Sequence, residues 1–600
     1  MRKEVTDKTD LSLFSGHIRV PQDYPTIQKA LNAAEPGYAI EVFPGKYNEQ
    51  LIMKEGILLI SYAGEDGNEL VSGPGHEPVL KRAKRTILDG DGFPWGTAAR
   101  PMVTFPPGIS SKTVLDGFTV TGMPLISTEI PNHPHVLECG GASPVIRNNI
   151  IYDNAAAAIG SYAVFGNHNK AIILQDYRFE NVIHESIPLI HDNVIYENLF
   201  GGIHCKYYSK AVILRNEVFR NESRDSYPGV GIGVQYGSSP YIKKNLVYEN
   251  DWSGIGCRKG KPMGKFPVNR PVLPRIIGNE VYANGQSKEK DHRAGIGLEG
   301  VGAEEKEVLV EDNLVYRNFA SGISVRKDSV ILIKNNTSQE NENCGIGVKE
   351  GSGEIAGNTL ENNTKVGIGI LKGQYFVVRS NLVQNNWMSG IGMESVSNSV
   401  VRDNNIYNNG LSGFWEVIKE FFGLAVGGVG IRVQNCRKIK IAGNRIESNQ
   451  RPGITVTKES LGIDLENNYI NKNGLADNPN LSVIKGSEAY LYKNTLMNSQ
   501  RSNLAIEESV AVVERNIIRN SYQPGIYLNK NRSVKVRGNR ITNSGTHGIS
   551  VSRSDGLIVN NTIRNSEQYG IVFGRRVKMV VKGNVVSGSG IADLAGVVEH

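Results

Sequence analysis

A repeat of about 23 residues runs through most of this 600-residue chain, and it restricts the fold more than any other feature. Segments such as NVIYEN, NLVYEN, NLVYRN, NLVQNN and NRITNS align on their first Asn. The anchors run from Asn193 and Asn216 through Asn313, Asn336, Asn358, Asn381 and Asn405 to Asn561 and Asn584, and many successive ones lie 22 to 24 residues apart. A Gly-Ile pair follows most of them by nine residues, as at Gly202, Gly322, Gly345, Gly367, Gly390 and Gly548. Each unit carries apolar alternation at period 2, broken by Asn, Gly and Ser corners, with no stretch of helical spacing. A unit this short cannot bury its own apolar side. It must stack, each short strand pairing in parallel with its equivalent one turn along, about 4.8 Å away.

The expected fold class is therefore all-β: a single right-handed parallel β-helix, a solenoid of roughly twenty coils. It should occupy residues 17–600, behind an N-terminal segment, 1–16. Stacked at one corner, the anchor Asn side chains are expected to form a ladder of amide hydrogen bonds along the axis. Ile27, Ala30, Leu31 and Ala34 have helical spacing between Pro25 and Pro36, which predicts a helix capping the open first coil. AIEVFPGKYNEQLIM and ILLISYAG then read as the first strands.

Composition narrows the rest. Charged residues at 21%, and 67 Gly without a Gly-X-Y period, exclude a disordered polyelectrolyte and a collagen. Five scattered Cys with no CxxC pair exclude a disulfide scaffold and a zinc ribbon. No run of 18 apolar residues is present, and the start MRKEVTDKTDLSLFSG lacks the apolar core of a signal peptide. By sequence alone the expected compartment is the cytoplasm, or the periplasm or cell exterior had a leader been removed.

Interruptions of the repeat locate loops that the scaffold does not require. The nine-residue spacing grows to 15 between Asn216 and Gly231, to 16 between Asn279 and Gly295, and to 25 between Asn405 and Gly430. The insertions fall at 222–230, 258–274, 285–294 and 411–428. Those around Gly231, Gly254 and Gly295 should wall a groove. Alternation in Gly-Ile-Gly-Val turns Ile and Val inward and leaves Gly233, Gly256 and Gly297 outward as a bare floor. The next outward positions read Gln235, Arg258, Glu299, Arg326 and Lys349, with His204 and Lys206 one coil earlier. In one reading these charges only pair with each other along a solvated surface, at little net energy. In the other, Lys206, Gln235, Arg258, Arg326 and Lys349 hold an acidic sugar chain. Glu299, His204, and Asp291 and His292 in the adjoining loop would then be the acid/base groups. The net charge of +7 agrees with an anionic ligand.

Aromatic residues such as Phe200, Trp252, Phe319 and Trp387 gather just before Gly-Ile, where they pack on neighbours or offer a face to a sugar; Trp252 is placed among the ligand-binding candidates. The insertion 411–428 carries Phe414, Val417, Ile418, Phe421 and Phe422 at approximate helical spacing. It is expected to stand outside the coil stack, against the flank, a ligand, a second copy or another protein. Six of the 11 His lie between His133 and His204, in no recognised metal-ligand spacing, so no metal residues are assigned and cofactors stay open. Cys205 and Cys257 occupy the inward Val position and read as core thiols.

The opening VPQDYPTIQKALNAAEPGYAIEVFPGKYNEQLIM resembles the start of pectin methylesterase-like domains. The repeats resemble those of the NosD and carbohydrate-binding (CASH) β-helix proteins, within the pectin-lyase-like superfamily. That resemblance extends from about residue 17 to the end. It implies extracellular or periplasmic proteins that bind or process polysaccharides, with NosD relatives linked to copper-site maturation. The polygalacturonase triple of paired Asp, Gly-His-Gly and Arg-Ile-Lys is not seen, and Gln175-Asp176 matches the Gln-Asp of pectin methylesterases without their flanking motifs. The expected function is binding of an acidic polysaccharide in the groove, with processing of a lyase or hydrolase kind if the protein is an enzyme. The alternatives are a non-catalytic scaffold or interaction protein and a NosD-like metal-site maturation protein. No nucleic-acid partner is expected.

Overall fold

The computed structural model describes residues 10–93, 100–125, 135–165, 182–224, 228–260, 270–287, 293–410, 428–475 and 477–595. They group into two compact units, 1–320 and 321–600. Asp291, His292 and the insertion 411–427 lie outside the described residues.

In the first unit each coil contributes three short strands, and each strand pairs in parallel with its equivalent in the next coil. One column runs through Ile203–Lys206, Ile232–Gln235, Ile255–Arg258 and Ile296–Glu299. A second holds Val194–Tyr196, Glu217–Phe219, Leu246–Tyr248, Glu280–Tyr282 and Leu314–Tyr316. The third holds Leu189–His191, Val212–Leu214, Tyr241–Lys243 and Arg275–Ile277. Alternation sends every second side chain inward. Ile203, Ile232, Ile255 and Ile296 form one file, Ile195, Val218, Val247 and Val281 another, and Ile190, Ile213, Ile242 and Ile276 the last, all at 0% exposure. Each fully buried aliphatic side chain contributes about 2 kcal/mol. The second column has nine strands in this unit and eleven in the other among the described residues, which bears out the estimate from the repeat.

The corners force a cost that the Asn residues offset. Asp192, Arg215 and Lys244 at one corner, and Glu197, Arg220 and Glu249 at the next, all have positive φ, at about 1 kcal/mol or more each. Directly after each stands a buried Asn. Two ladders result, one through Asn149, Asn193, Asn216, Asn245 and Asn279, the other through Asn154, Asn198, Asn221, Asn250 and Asn284. The repeat predicted the first; the second is the closing Asn of segments such as NVIYEN.

The second unit has the same construction, with ladders through Asn358, Asn381, Asn404, Asn444 and Asn468 and through Asn363, Asn386, Asn409, Asn449 and Asn473. Here the expected anchor Asn405 is exposed, and Asn404 takes the ladder position instead. Alternation explains the slip: the strand Asn405–Tyr407 must turn Ile406 inward, which leaves Asn405 outside. Where the inserted segment departs, a Cβ on Gly410 would stand 2.3 Å from the Gly428 Cα, so the coil closes across it.

At the N-terminal end the predicted helix forms at Ile27–Ala33, with Ile27, Ala30, Leu31 and Ala34 buried and the Thr26 side chain accepting from Lys29 N at 3.2 Å. One strand was not anticipated. Gly16–Val20 precedes the helix and pairs with Tyr38–Val42, so the helix crosses between two paired strands rather than standing ahead of the first.

An arm then leaves the early coils: a hairpin of Leu70–Val71 with Val79–Leu80, followed by the short helix Lys81–Arg85. It packs on the outward face of the second column over Ile150, Val194, Phe219 and Tyr248. There Tyr152, Tyr196, Phe219, Tyr248, Tyr282 and Tyr316 stack coil on coil, with centroids 4.8 to 5.0 Å apart. Arg82 anchors the arm, donating to Asp116 Oδ1 at 2.6 Å and to the Asp116 carbonyl at 2.8 Å, while Arg147 Nε donates to Asp116 Oδ2 at 2.8 Å. Burial alone would raise the Asp116 carboxyl, but the charges of Arg82 and Arg147 hold it below its ordinary value. Replacing Arg82 by Met strands a buried carboxylate and is expected to lower stability by about 3 kcal/mol. Because the folded-state pKa is depressed, the Asp116 contribution is present above the unfolded carboxyl pKa and is lost as pH falls through the folded value. Urea unfolding of both proteins at neutral and acid pH checks this; equal midpoints at neutral pH would show that the anchor contributes nothing.

Candidate functional site

The site builds on the first strand column of the first unit, extended backward by His135–Gly140 and Ala157–Tyr162. In register, Glu138 pairs with Gly160, Gly160 with His204, and His204 with Gly233, followed by Gly256 and Gly297. The neighbouring outward file pairs Gly140 with Tyr162 and Tyr162 with Lys206; further along it, Gln235 pairs with Arg258 and Arg258 with Glu299. Between the two files, Cys139, Ser161, Cys205, Val234 and Cys257 point into the core. The sheet thus presents a block of titratable side chains next to a row of glycines.

Two glycines make the block possible. A Cβ on Gly160 would lie 2.2 Å from the His135 ring, and one on Gly140 would lie 2.8 Å from the Tyr162 ring, so each ring lies across a coil that has no side chain of its own. The Tyr162 hydroxyl donates to Glu138 Oε1 at 2.5 Å, and His135 Nδ1 lies 3.8 Å from Glu138 Oε2. His135 and His204 meet edge to face, 5.6 Å between centroids. Both are buried, and the Nδ1 atom of each lacks a hydrogen-bond partner.

Electrostatics sort the protonation states. Burial, then the positive charge of Arg258, depresses Lys206 to about 8, with Glu138 opposing the shift. Burial, then Lys206 and His135, pushes His204 far below the usual imidazole value, so it is neutral near pH 7. Burial would raise the Glu138 carboxyl, but His135 and Tyr162 beside it hold it below its ordinary value, and it is ionised. Burial and the Glu138 charge raise Tyr162, which stays a phenol. Arg258 is braced by Gln235: with the amide oxygen facing it, that oxygen accepts from Nε at 2.7 Å and from Nη2 at 3.0 Å.

Of the residues expected from sequence, Lys206 and His204 fall within this cluster, Gln235 and Arg258 adjoin it, and Glu299 is the strand partner of Arg258. Trp252 is partly buried at the preceding corner, its backbone N–H donating to the Gly229 carbonyl at 3.1 Å. Arg326 and Lys349 belong to the second unit, where they are strand partners. The glycine floor is less bare than expected. The Val230 side chain comes within 3.1 Å of where a Cβ on Gly233 or Gly256 would stand, and Ser253 Oγ within 3.2 Å of the one on Gly297.

Sequence reasoning missed His135 as a site residue, and Glu138 and Tyr162 altogether. They are outward residues of HVLECG and AAIGSY, in coils ahead of the region where the Asn register fades. It also missed a tyrosine platform on the far side of the strands, where Tyr207 and Tyr236 stack at 4.7 Å and the Arg270 guanidinium lies 4.7 Å over Tyr208. Among the described residues no three His, Cys, Asp or Glu side chains converge to hold a metal ion; His133 and His168 lie outside those residues.

Residues 177–325, 321–496 and 476–597 match the family described as right handed beta helix region. The matched segments make up well over half of the chain, and the protein belongs to that family. No curated protein matches the sequence. Among solved structures, the chain is similar to the enzymatically active domain of bacteriophage CBA120 tailspike protein 2, with 12% identity over 53% of this chain and 43% of that one and a TM-score of 0.27. It thus spans less than half of that tailspike domain. It is similar to alginate lyase from Paenibacillus sp., with 14% identity over 55% of this chain and 94% of that one and a TM-score of 0.28. The A-module of Azotobacter vinelandii mannuronan C-5 epimerase AlgE6 is 13% identical over 95% of this chain and 94% of that one, with a TM-score of 0.22.

Proposed function

We propose that the protein binds an anionic polysaccharide along the outward face of this strand column and cleaves it by β-elimination at a uronate residue. One observation carries the reading: a lysine amine depressed to about 8 stands beside a phenol–carboxylate pair and a braced guanidinium. These are the parts the reaction needs. Arg258 pairs with the uronate carboxylate and makes the C5 proton more acidic. The free amine of Lys206 takes that proton as the C4–C5 double bond forms and the C4–O bond breaks. Tyr162, still a phenol, is the nearby donor for the departing oxygen, and Lys206, its strand neighbour, passes the C5 proton on to the phenolate, which restores both groups. Tyr207, partly exposed and stacked on the buried Tyr236, supplies a ring for a neighbouring sugar. The likeness of the repeats to carbohydrate-binding β-helix proteins points the same way.

The test is a panel of uronate polymers, including polygalacturonate and alginate, followed for unsaturated product by its absorbance near the ultraviolet edge. Product from at least one polymer is expected. Tight binding of a uronate polymer with no product from any of them would leave a binding protein and remove the elimination step.

A further inference from the structure

Between residues 530 and 582 the sequence holds eleven Lys and Arg against two Asp and Glu, although the net charge of the whole chain is only +7. The fold gathers much of this excess on one side of the last coils of the second unit. At one corner Lys530, Arg553 and Arg576 take positive φ, 55, 45 and 54°, and all three are exposed. They are spaced 23 residues apart. Their corners stack, since Asn531 N donates to Ser554 Oγ at 3.1 Å and Asp555 pairs with Lys578 in the next coil. The row therefore repeats at the coil rise, about 4.8 Å. Beside it run the strands Ser533–Arg537, Asp555–Val559 and Lys578–Lys582, whose exposed positions add Lys535, Arg537, Lys578 and Lys582.

Few of these cations are neutralised. Lys530 meets Glu508 at 2.9 Å, Arg537 meets Glu514 at 2.6 Å and Lys578 has the exposed Asp555 as its strand partner, whereas Lys535, Arg553, Arg576 and Lys582 form no ion pair among the described residues. Along the corner row Lys530, Arg553 and Arg576, like charges one coil apart repel. An occupant of opposite charge relieves that repulsion.

The geometry also selects the occupant. The row is straight, periodic and fixed to a rigid backbone, which suits an extended polymer carrying one negative group per repeat. No aromatic ring stands among the outward residues of these three strands, where single-stranded nucleic acid would stack its bases. The apolar residues between the cations, Leu557, Val559 and Val580, belong to strands of the sheet and not to the amphipathic helix that a membrane surface would take up. We propose that this face binds a linear polyanionic glycan laid along the coil axis, its carboxylates or sulfates pairing with the row Lys530, Arg553 and Arg576 and with the lysines beside it. The surface shares no residue with the site in the first unit and does not depend on elimination there.

Titration of the full-length protein with polygalacturonate and with heparin, using neutral dextran as a blank, tests the proposal. The triple variant Lys530→Glu, Arg553→Glu, Arg576→Glu is expected to weaken binding of at least one polyanion by about tenfold or more and to flatten its salt dependence. The milder triple change to Gln guards against a folding defect and should show the same direction with an unchanged melting temperature. In a Lys206→Met, Arg258→Ala background this component of binding should persist, which separates it from the first unit's site. Unchanged affinity in both triple variants overturns the proposal. So does capture by phosphatidylserine vesicles or single-stranded DNA without glycan binding, which would assign the face to a membrane or a nucleic acid.

Discussion

Replacing Asn250 by Ala is expected to lower the unfolding free energy by about 4 kcal/mol. The reason is the number of groups that one amide serves. Its Nδ2 donates to the carbonyls of Val218 and Tyr248, both at 3.1 Å, and to Asn284 Oδ1 at 2.9 Å. Its Oδ1 accepts from the backbone N–H and the side-chain Nδ2 of Asn221, at 3.1 and 2.9 Å. Asn250 is 0% exposed, so no bulk water can replace these partners after truncation. Each stranded polar group costs about 1 to 3 kcal/mol, and at least two are left behind. Glu249, held at positive φ just before it, also loses the bonds that keep the corner in place. Asn543 offers the control. It belongs to a second kind of ladder, on the outside of the later coils, where it donates to Asn520 Oδ1 at 3.0 Å while exposed to solvent. Asn543→Ala should change stability by no more than about 0.5 kcal/mol. Urea unfolding of the two variants settles the comparison, and a loss under about 1 kcal/mol for Asn250→Ala would show that the inner ladder is not what holds the corners.

The same physics decides what the sequence could reveal. A solenoid writes its fold once per coil, so the inward Ile and Val files and the first Asn ladder were legible from period and spacing alone. The errors came at one-residue resolution and at the edges. Asn405 and Asn404 are adjacent, and only the need to bury Ile406 says which of them turns in. The strand Gly16–Val20 has no Asn anchor to announce it. Arg82 and its arm were not anticipated, because the partner that fixes it, Asp116, is 34 residues away. Functional groups suffer most from this distance. The contact between Tyr162 and Glu138 spans 24 residues, and the strand pairing of Tyr162 with Lys206 crosses a stretch where the repeat fades. Lys206 itself was visible as an outward residue, but its depressed pKa comes from burial and from Arg258 two coils on, neither of which a linear pattern displays.

Lys206→Met should reduce uronate cleavage by about a thousandfold while leaving the melting temperature and polymer binding nearly unchanged. Methionine keeps the packing volume and removes only the amine. If that amine is the base, the loss falls on kcat, and KM, which Arg258 governs through the uronate carboxylate, stays close to that of the unaltered protein. The pH profile carries the stronger test. An ordinary lysine with its pKa at 10.5 would be almost wholly protonated at neutral pH, but depression to about 8 makes a useful fraction of free amine available there. Only the free amine accepts a proton, so kcat/KM should rise with pH and level off above about 8. Arg258→Met removes a charge that helps depress Lys206, so the residual activity should have its rising limb at higher pH, together with a raised KM. Lys206→Arg, which stays protonated, should be as inactive as the Met variant. Activity within about tenfold of the unaltered protein in Lys206→Met, or a rising limb that stays in place when Arg258 is removed, would take the base role away from Lys206 and return the choice to the neutral imidazole of His204.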